Sequence, residues 1–587
     1  MVQETTPTAA TLSGAPQPVP AGAEAPALAA QAWIHRPDEP LAGAATGPLA
    51  GLRFAVKDNI DVAGWPTTAA CPAFAYTASA HAKTVQLLLE AGASLAGKTN
   101  LDQFACGLNG TRSPYGAVPN AINPLYVSGG SSSGSAYAVA TGQVDFALGT
   151  DTAGSGRVPA GLNNIVGLKP SRGLISARGV VPAAQSVDCV SIFATTVARA
   201  AQVLAVTMAH DPADPYSRTL PMITEPLGQR FRFGVPDTLS FFGDDAAKAA
   251  FDQAVAQLEA MGGVAVPVDY APLAECADML YGSALVAARY AAVRDFVDTH
   301  EDALIEPVRS ILASGKQHSA ADLFVAQTQL AALAQRTNLM WQGIDLLVVP
   351  TAPTHYTIEA MQADPVALNR NLGAYTNFVN LLDYAALSVP SSLRADGLPF
   401  GITLIGRCGS DWQLAELGQR FHHATGLPQG ATGVPLPPMQ TIPGLKTDPS
   451  PSVRVAVVGA HLSGMPLNGQ LTERGATLVA RTHTAALYRL YALPNTTPPK
   501  PGLLRVAPGE GEAIEIEVWD MPLAHYGSFV TLVPSPLSIG TLQLADGSGV
   551  QGFLCEPLAL QGATDITPLG GWRAYIASIT PQQIAFP

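Results

Sequence analysis

A cluster of prolines divides this 587-residue chain into two parts with different residue patterns. Seven prolines lie within residues 426–452, namely Pro428, Pro435, Pro437, Pro438, Pro443, Pro449 and Pro451. Proline fixes φ and lacks the backbone N–H donor, so this density disfavours a regular helix or strand. We therefore predict that a linker, 426–452, separates a first domain, 32–425, from a second domain, 453–587.

The part before the linker alternates between helical periodicity and short apolar runs. Residues 84–92 (TVQLLLEAG) place apolar side chains on one helical face, and the apolar run ASLAG follows at 93–97. Residues 345–350 (DLLVVP) have the composition of a buried strand. This alternation predicts an α/β core. The first 31 residues are rich in Ala, Pro and Thr, and we expect a flexible tail there.

The part after the linker changes to a two-residue period. Residues 514–518 (IEIEV) alternate apolar and acidic side chains, which indicates a half-buried strand. Residues 541–545 and 550–554 flank the turn sequence DGSG and predict a β-hairpin. The second domain is therefore expected to be smaller and β-rich.

Composition narrows the functional classes. Charged residues make up 13% of the chain and the net charge is −13, so it lacks the basic footprint of a nucleic-acid binder. No apolar run is long enough to cross a membrane, and the N-terminus lacks a signal-peptide pattern. Six scattered cysteines without a CxxC motif indicate free thiols in the cytoplasm. The histidines show no paired ligand spacing, so we expect no metal and no other cofactor.

Two Gly/Ser-rich segments are the strongest candidates for a functional site. Gly129–Ser135 (GGSSSGS) leads directly into the apolar stretch Ala136–Ala140, which argues against a flexible linker. A Gly-rich turn before a helix aims backbone N–H groups at an anion, but this one lacks the Lys of a phosphate-binding loop. Gly149–Ala160 (GTDTAGSGRVPA), taken alone, is equally typical of a tight turn between core elements.

Lys57 follows the apolar run LRFAV and has two interpretations. It can be a strand-end lysine that extends its ammonium group to water. A desolvated lysine instead loses its charge readily and becomes a base near neutral pH.

Together these segments resemble the amidase signature family of serine hydrolases. The resemblance covers residues 32–425 and rests on FAVKDNIDVAG, AGKTNLDQFACGLNGTRSPYG, GGSSSGSAYAVA and GTDTAGSGRVPAG. It implies an α/β fold in which a mixed, mostly parallel sheet is covered by helices.

The resemblance also assigns roles to single residues. It makes Ser155 the nucleophile, Ser131 a bridging serine that follows a cis peptide bond, and Lys57 the base. A serine hydroxyl becomes an effective nucleophile only when a base takes its proton. The implied oxyanion hole consists of the backbone N–H groups of Thr152, Ala153 and Gly154, together with Ser155 itself.

Within the family, the chain is most similar to the allophanate hydrolases, whose substrate is urea-1-carboxylate. This similarity rests on GTRSPYGAVPNA, on residues 280–293 (LYGSALVAARYAAV) and on the presence of a C-terminal domain. It implies that Tyr281 and Arg289 bind the substrate, since a guanidinium can hold a carboxylate through two hydrogen bonds. The alternatives are a surface salt bridge for Arg289 and an ordinary helix-face aromatic for Tyr281.

The resemblance extends to the second domain, with motifs such as VVGAHLSGMPLNGQL. It implies a fold like that of γ-glutamyl cyclotransferases and help with decarboxylation of N-carboxycarbamate, the product of the first domain. His461 matches a proposed catalytic histidine, and Asn468, Asp520 and His525 are weaker candidates. A structural histidine, in a domain that only stabilises the protein, is the alternative.

Three functions remain open. The favoured one is a two-domain allophanate hydrolase that releases ammonia and carbon dioxide. The second is a broad small-substrate amidase with a structural C-terminal domain, and the third is a non-catalytic binding module, which the presence of the complete triad disfavours. The resemblance further implies a small anionic amide substrate, a homodimer, and a link to a urea carboxylase or to triazine degradation. No nucleic-acid or membrane partner is expected.

Overall fold

The computed structural model describes residues 28–446 and 452–579, which belong to two compact units divided between Leu445 and Lys446. Most of the predicted tail 1–31 lies outside the described residues.

The first unit is built on one eleven-stranded sheet. Its strands in chain order are β1 Trp33–His35, β2 Arg53–Lys57, β3 Ser94–Thr99, β4 Phe146–Asp151, β5 Val166–Lys169, β6 Cys189–Ala194, β7 Phe231–Pro236, β8 Gly263–Val268, β9 Leu346–Pro350, β10 Ala385–Leu393 and β11 Pro399–Gly406. Their order across the sheet is β1-β3-β2-β4-β6-β5-β10-β11-β9-β7-β8. A separate two-stranded ribbon pairs Pro66–Thr67 with Tyr76–Thr77.

The predicted mixed sheet covered by helices is confirmed, but the expectation that it is mostly parallel is wrong. Parallel pairing joins β2 to β3 and β4, and β7 to β8 and β9. The other neighbours are antiparallel. The antiparallel pairing of β10 with β11 follows from the short connection between them, because a connection of a few residues can join only antiparallel strands.

Fourteen helices accompany this sheet in the described part of the first unit. They are α1 Lys83–Glu90, α2 Ser133–Ala140, α3 Val158–Leu162, α4 Val197–Thr207, α5 Asp245–Ala260, α6 Ala271–Gly282, α7 Ala287–Ala292, α8 Arg294–Thr299, α9 Val308–Ser314, α10 Ala320–Asn338, α11 Ile358–Ala363, α12 Ala367–Leu372, α13 Phe378–Leu381 and α14 Asp411–Thr425. Helix α2 is buried along its whole length, and all its residues except Tyr137 and Val139 are Gly, Ala or Ser. The Gly/Ser-rich segment before it therefore lies inside the core.

The described residues of the second unit form two smaller sheets and three short α-helices. Its strands are β12 Ser452–Val457, β13 Thr477–His483, β14 Tyr488–Ala492, β15 Pro501–Arg505, β16 Glu515–Pro522, β17 Leu537–Gln543, β18 Gly549–Cys555 and β19 Thr564–Asp565. The sheet orders are β13-β16-β12-β18-β17 and β15-β14-β19. The helices are α15 Gly469–Thr472, α16 Leu523–Val530 and α17 Trp572–Ser578. The predicted hairpin corresponds to β17 and β18.

The segment between α14 and β12 contains no helix or strand among its described residues, which end at Lys446 and resume at Ser452. Much of it nevertheless packs on the first unit. Ile442 is buried in the core of that unit, and the side chain of Asn164 donates to the carbonyls of Pro428 and Gly430. The first unit therefore extends through most of the predicted linker.

A buried ion pair holds the loop that follows β4. Arg157 donates from Nε and Nη2 to the two carboxylate oxygens of Asp151, both at 2.9 Å. The same guanidinium donates to the carbonyl of Thr376 and the side chain of Asn380. Although burial alone would raise it, the Arg157 charge holds the pKa of Asp151 below its ordinary value. The pair therefore ties the loop after β4 to the segment that begins α13.

We predict that Arg157→Met destabilises the first unit by about 3–5 kcal/mol, because it leaves a buried carboxylate without its partner. Arg370→Met is the matched control, since Arg370 forms an exposed ion pair with Asp278 at 3.0 Å and such pairs contribute little. Urea unfolding of the two variants checks the difference. Equal destabilisation would show that the buried pair does not stabilise the loop.

Candidate active site

Lys57 and Ser131 lie in direct contact inside the first unit. Lys57 is the last residue of β2 and is fully buried. Its Nζ lies 2.7 Å from Ser131 Oγ and 2.7 Å from Thr150 Oγ1. The peptide bond between Gly130 and Ser131 is cis. The two side chains are thus within proton-transfer distance of each other.

The environment of Lys57 favours its uncharged form. Burial lowers the pKa of Lys57 to about 7, and the nearby charge of Arg289 lowers it as well. Asp102, Asp188 and Asp151 oppose this shift from a distance. Lys57 forms no ion pair with any carboxylate of residues 28–446 or 452–579. In a substantial fraction of the molecules near pH 7, Lys57 is therefore a neutral amine that can accept a proton.

Ser155 lies in the loop between β4 and α3 and is buried. Its hydroxyl donates to the carbonyl of Gly107 at 3.4 Å, and within the described chain no hydrogen bond joins it to Ser131. A bond of this length is weak. Catalytic hydrogen bonds often tighten only when the substrate is bound, so a rotation of the hydroxyl can complete the relay.

The loop around Ser155 also carries the predicted oxyanion donors. The backbone N–H of Gly154 donates to Asp151 Oδ1 at 3.0 Å and is therefore engaged. The N–H groups of Thr152 and Ala153 donate to no other group in the described part of the chain. Gly154 has a φ of +141°, and a Cβ there would lie 2.4 Å from Thr376 Oγ1. The geometry thus favours Thr152 and Ala153 as oxyanion donors and Gly154 as the residue that permits the turn.

Tyr281 and Arg289 also lie together. Tyr281 is near the end of α6 and Arg289 is in α7; Arg289 Nη2 donates to the Tyr281 hydroxyl at 2.9 Å. Arg289 is only 3% exposed, so a surface salt bridge is not what the structure shows. Its Nε and Nη1 atoms are buried and have no hydrogen-bond partner among the described residues. Unpaired donors of a buried guanidinium are costly unless an anion binds them, so this site fits a carboxylate.

Three polar groups near these residues, the buried Thr150 and Asp102 and the half-buried Asp188, were not predicted as site residues. Thr150 contacts Lys57, and Asp188 accepts a 2.5 Å hydrogen bond from Thr152 Oγ1. The backbone N–H of Asp102 donates to the carbonyl of Ser131. The Asp102 carboxylate in turn accepts from three backbone N–H groups, those of Asn109, Gly110 and Arg112. Thr150 and Asp102 lie inside the motifs quoted above, whereas Asp188 lies outside them and has no sequence signal.

In the second unit, His461 lines a cavity of about 230 Å³. Its Nε2 lies 2.9 Å from Gln470 Oε1, and its ring stacks on Phe553 at 5.0 Å. Burial lowers the pKa of His461. Because the Gln470 oxygen accepts the Nε2 proton, Nδ1 carries the free lone pair. Gln470 was not predicted, although it lies in the quoted motif PLNGQL.

The weaker candidates of the second domain occupy supporting or remote positions. Asn468 donates to the backbone carbonyl of His461 at 2.9 Å and so holds its loop. His525 is partnered by the carbonyl of Arg474, and neither His525 nor Asp520 lines the cavity.

The described residues form no metal-binding cluster, no disulfide and no membrane-spanning helix. Among residues 28–446 and 452–579, no group of three or more His, Cys, Asp or Glu side chains is placed to hold a metal ion. All six cysteines are free thiols. No helix within those ranges is long and apolar enough to span a membrane.

Comparison with known proteins gives matches over both domains. Residues 13–415 match the family described as Amidase, and residues 453–577 match the family described as Allophanate hydrolase C-terminal domain. The urea amidolyase of Saccharomyces cerevisiae is 44% identical over 92% of this chain, but the chain spans only 30% of that protein.

Two solved structures from Kluyveromyces lactis are similar as well. The allophanate hydrolase has 45% identity and a TM-score of 0.69, covering 91% of this chain and 89% of that one. The urea amidolyase has 45% identity and a TM-score of 0.69, covering 90% of this chain and 33% of that one. The chain belongs to the amidase family, and its C-terminal region to the family of allophanate hydrolase C-terminal domains.

Proposed function

We propose that this chain is an allophanate hydrolase that converts urea-1-carboxylate to ammonia and carbon dioxide. One observation carries the proposal: the buried Lys57, in contact with Ser131, lies near a buried guanidinium with two unpaired donors. The Lys57–Ser131 pair can catalyse amide hydrolysis, and the Arg289 guanidinium can bind the carboxylate of an anionic amide. Similarity to the allophanate hydrolase of Kluyveromyces lactis supports it.

Acylation begins with a proton relay. Lys57 takes a proton from Ser131, which takes one from Ser155, and Ser155 Oγ attacks the terminal amide carbon of the substrate. The N–H groups of Thr152 and Ala153 stabilise the negative charge that develops on the carbonyl oxygen. The C–N bond then breaks, and the relay runs backwards to protonate the leaving nitrogen, which departs as ammonia.

Deacylation uses water in place of the Ser155 hydroxyl. Water gives a proton to the relay, and the water oxygen attacks the acyl carbon. The ester bond to Ser155 then breaks, and Ser155 Oγ takes back a proton from the relay. The product is N-carboxycarbamate, which carries two carboxylates. Arg289 and Tyr281 hold the carboxylate of the substrate through this sequence, because Arg289 lies close enough to lower the pKa of Lys57, Tyr281 contacts Arg289, and the pair offers N–H and O–H donors.

The second unit is proposed to act on this product. Loss of carbon dioxide breaks one C–N bond, leaves the electron pair on nitrogen and requires one proton, which gives carbamate. Carbamate then decomposes to ammonia and carbon dioxide. His461 can relay that proton, because Nδ1 carries a free lone pair that takes a proton from solvent and passes it to the substrate nitrogen.

The supply of substrate and the assembly are also proposals. Relatives that are about three times longer are named urea amidolyases, which supports a functional link between this chain and an enzyme that carboxylates urea. A cytoplasmic homodimer is the form that we propose for the chain.

An ammonia-release assay tests the substrate assignment. We expect allophanate to give a higher kcat/KM than malonamate, biuret or a simple aryl amide. Only allophanate and malonamate carry a carboxylate, and of these two only allophanate is a urea. Ser155→Ala should lower turnover by at least ~10³-fold, since the nucleophile is lost. Exposed Ser310→Ala is the control. A higher kcat/KM for the aryl amide would instead support the broad amidase.

A change at Arg289 tests carboxylate recognition. We expect Arg289→Lys to lower kcat/KM for allophanate by ~10–100-fold, because lysine lacks the planar pair of donors. The loss for an uncharged amide should be much smaller. Arg294→Lys, at an exposed position in the next helix, is the matched control. Equal losses for charged and uncharged substrates would show that Arg289 serves stability.

A change at His461 tests the division of labour between the units. We expect His461→Ala to lower the ratio of carbon dioxide to ammonia early in the reaction, while the initial rate of release of the first ammonia is unchanged. Rapid-quench measurement of both products checks this before spontaneous decomposition removes the difference. His525→Ala is the control, because His525 lies outside the cavity. An unchanged early ratio would leave the second domain with a structural role.

A further inference from the structure

The cavity of the second unit combines two basic residues with a largely apolar wall. Its charged or titratable lining residues are His461 and Lys500, and no Asp or Glu of the described chain lines it. Phe529 and Phe553 supply much of the apolar wall. A cavity that contains positive charge and excludes negative charge selects for an anion.

Close backbone contact places Lys500 beside His461. A Cβ at Gly459 would lie 2.3 Å from the Pro501 ring, so only glycine allows these two segments to approach. His461 follows Gly459 by two residues, and Lys500 directly precedes Pro501. The buried Glu517 accepts hydrogen bonds from the backbone and side chain of Ser463, which fixes the far end of the His461 loop.

Lys500 makes no interaction that would explain its position. Its Nζ has no hydrogen bond or ion pair with residues 28–446 or 452–579, although its backbone N–H donates to Thr496. Its charge helps to lower the pKa of His461, after the larger effect of burial, which is further evidence of their proximity. The sequence has no other lysine after Lys446.

We propose that Lys500 forms the anion-binding part of this cavity and holds one carboxylate of a small dicarboxylate. The identity of the ligand rests on the proposed function, which makes it N-carboxycarbamate. Its retained carboxylate pairs with Lys500 Nζ, its other carboxylate leaves toward the apolar wall as uncharged carbon dioxide, and its nitrogen faces His461. A carboxylate loses its charge as it becomes carbon dioxide, so an apolar wall favours that step.

Calorimetric titration with malonate tests the anion site, because malonate replaces the central N–H of the ligand with CH₂ and is stable. The titration uses the full chain with Arg289→Gln, which weakens the carboxylate site of the first unit. In that background we expect Lys500→Gln to weaken malonate binding at least tenfold, and Lys500→Arg to preserve most of it. Arg505→Gln is the matched control, since Arg505 is an exposed cation outside the cavity.

The outcomes separate this inference from the proposed function. Malonate affinity that is unchanged by Lys500→Gln, or equal binding of uncharged malonamide, overturns the anion site even if His461→Ala alters the product ratio. Weakened binding in Lys500→Gln supports the anion site even if His461→Ala leaves the product ratio unchanged, in which case only the decarboxylation role fails. If the Lys500→Arg variant unfolds at the normal temperature but does not bind malonate, the proposal that the charge of residue 500 holds a carboxylate is also contradicted.

Discussion

The active site of the first unit depends on the burial of Lys57, which has no counter-ion within residues 28–446 and 452–579. A charged lysine in this position would lose its hydration and gain no carboxylate partner, so the fold stabilises the neutral amine instead. The contacts of Nζ are two hydroxyl groups, which can donate to or accept from a neutral amine. Desolvation of Lys57 is thus the basis of catalysis, because it converts a side chain that is ordinarily a protonated ammonium group into a neutral base.

The topology of the sheet brings the required groups to the same place. Parallel pairing of β2 with β4 sets the carboxyl ends of both strands side by side, so Lys57 and Thr150 approach each other. The segment before α2 brings Ser131, and the loop after β4 brings Ser155. The Asp151–Arg157 pair fixes that loop to a distant part of the chain. The reactive side chains thus stand on elements that are buried and cross-linked by hydrogen bonds.

Sequence patterns predicted the larger elements, and the family resemblance predicted the contact of Lys57 with Ser131, whereas the relay to Ser155 stays a prediction. The helix near 84–92 was predictable because its apolar periodicity records which face is buried. The antiparallel majority was not, since strand direction depends on the path of the connections. Asp188 and Gln470 act through contacts that only folding creates. Likewise, no local pattern shows that the N–H of Gly154 is already engaged.

The most direct test of this account is an NMR titration of the Lys57 side chain in the full-length protein, with the resonance assigned by comparison with Lys57→Met. Burial should place the titration midpoint near pH 7, so that the ammonium form is lost as the pH rises through that value. A side chain that remains charged until about pH 10, as an exposed lysine does, would contradict the neutral base and the relay built on it.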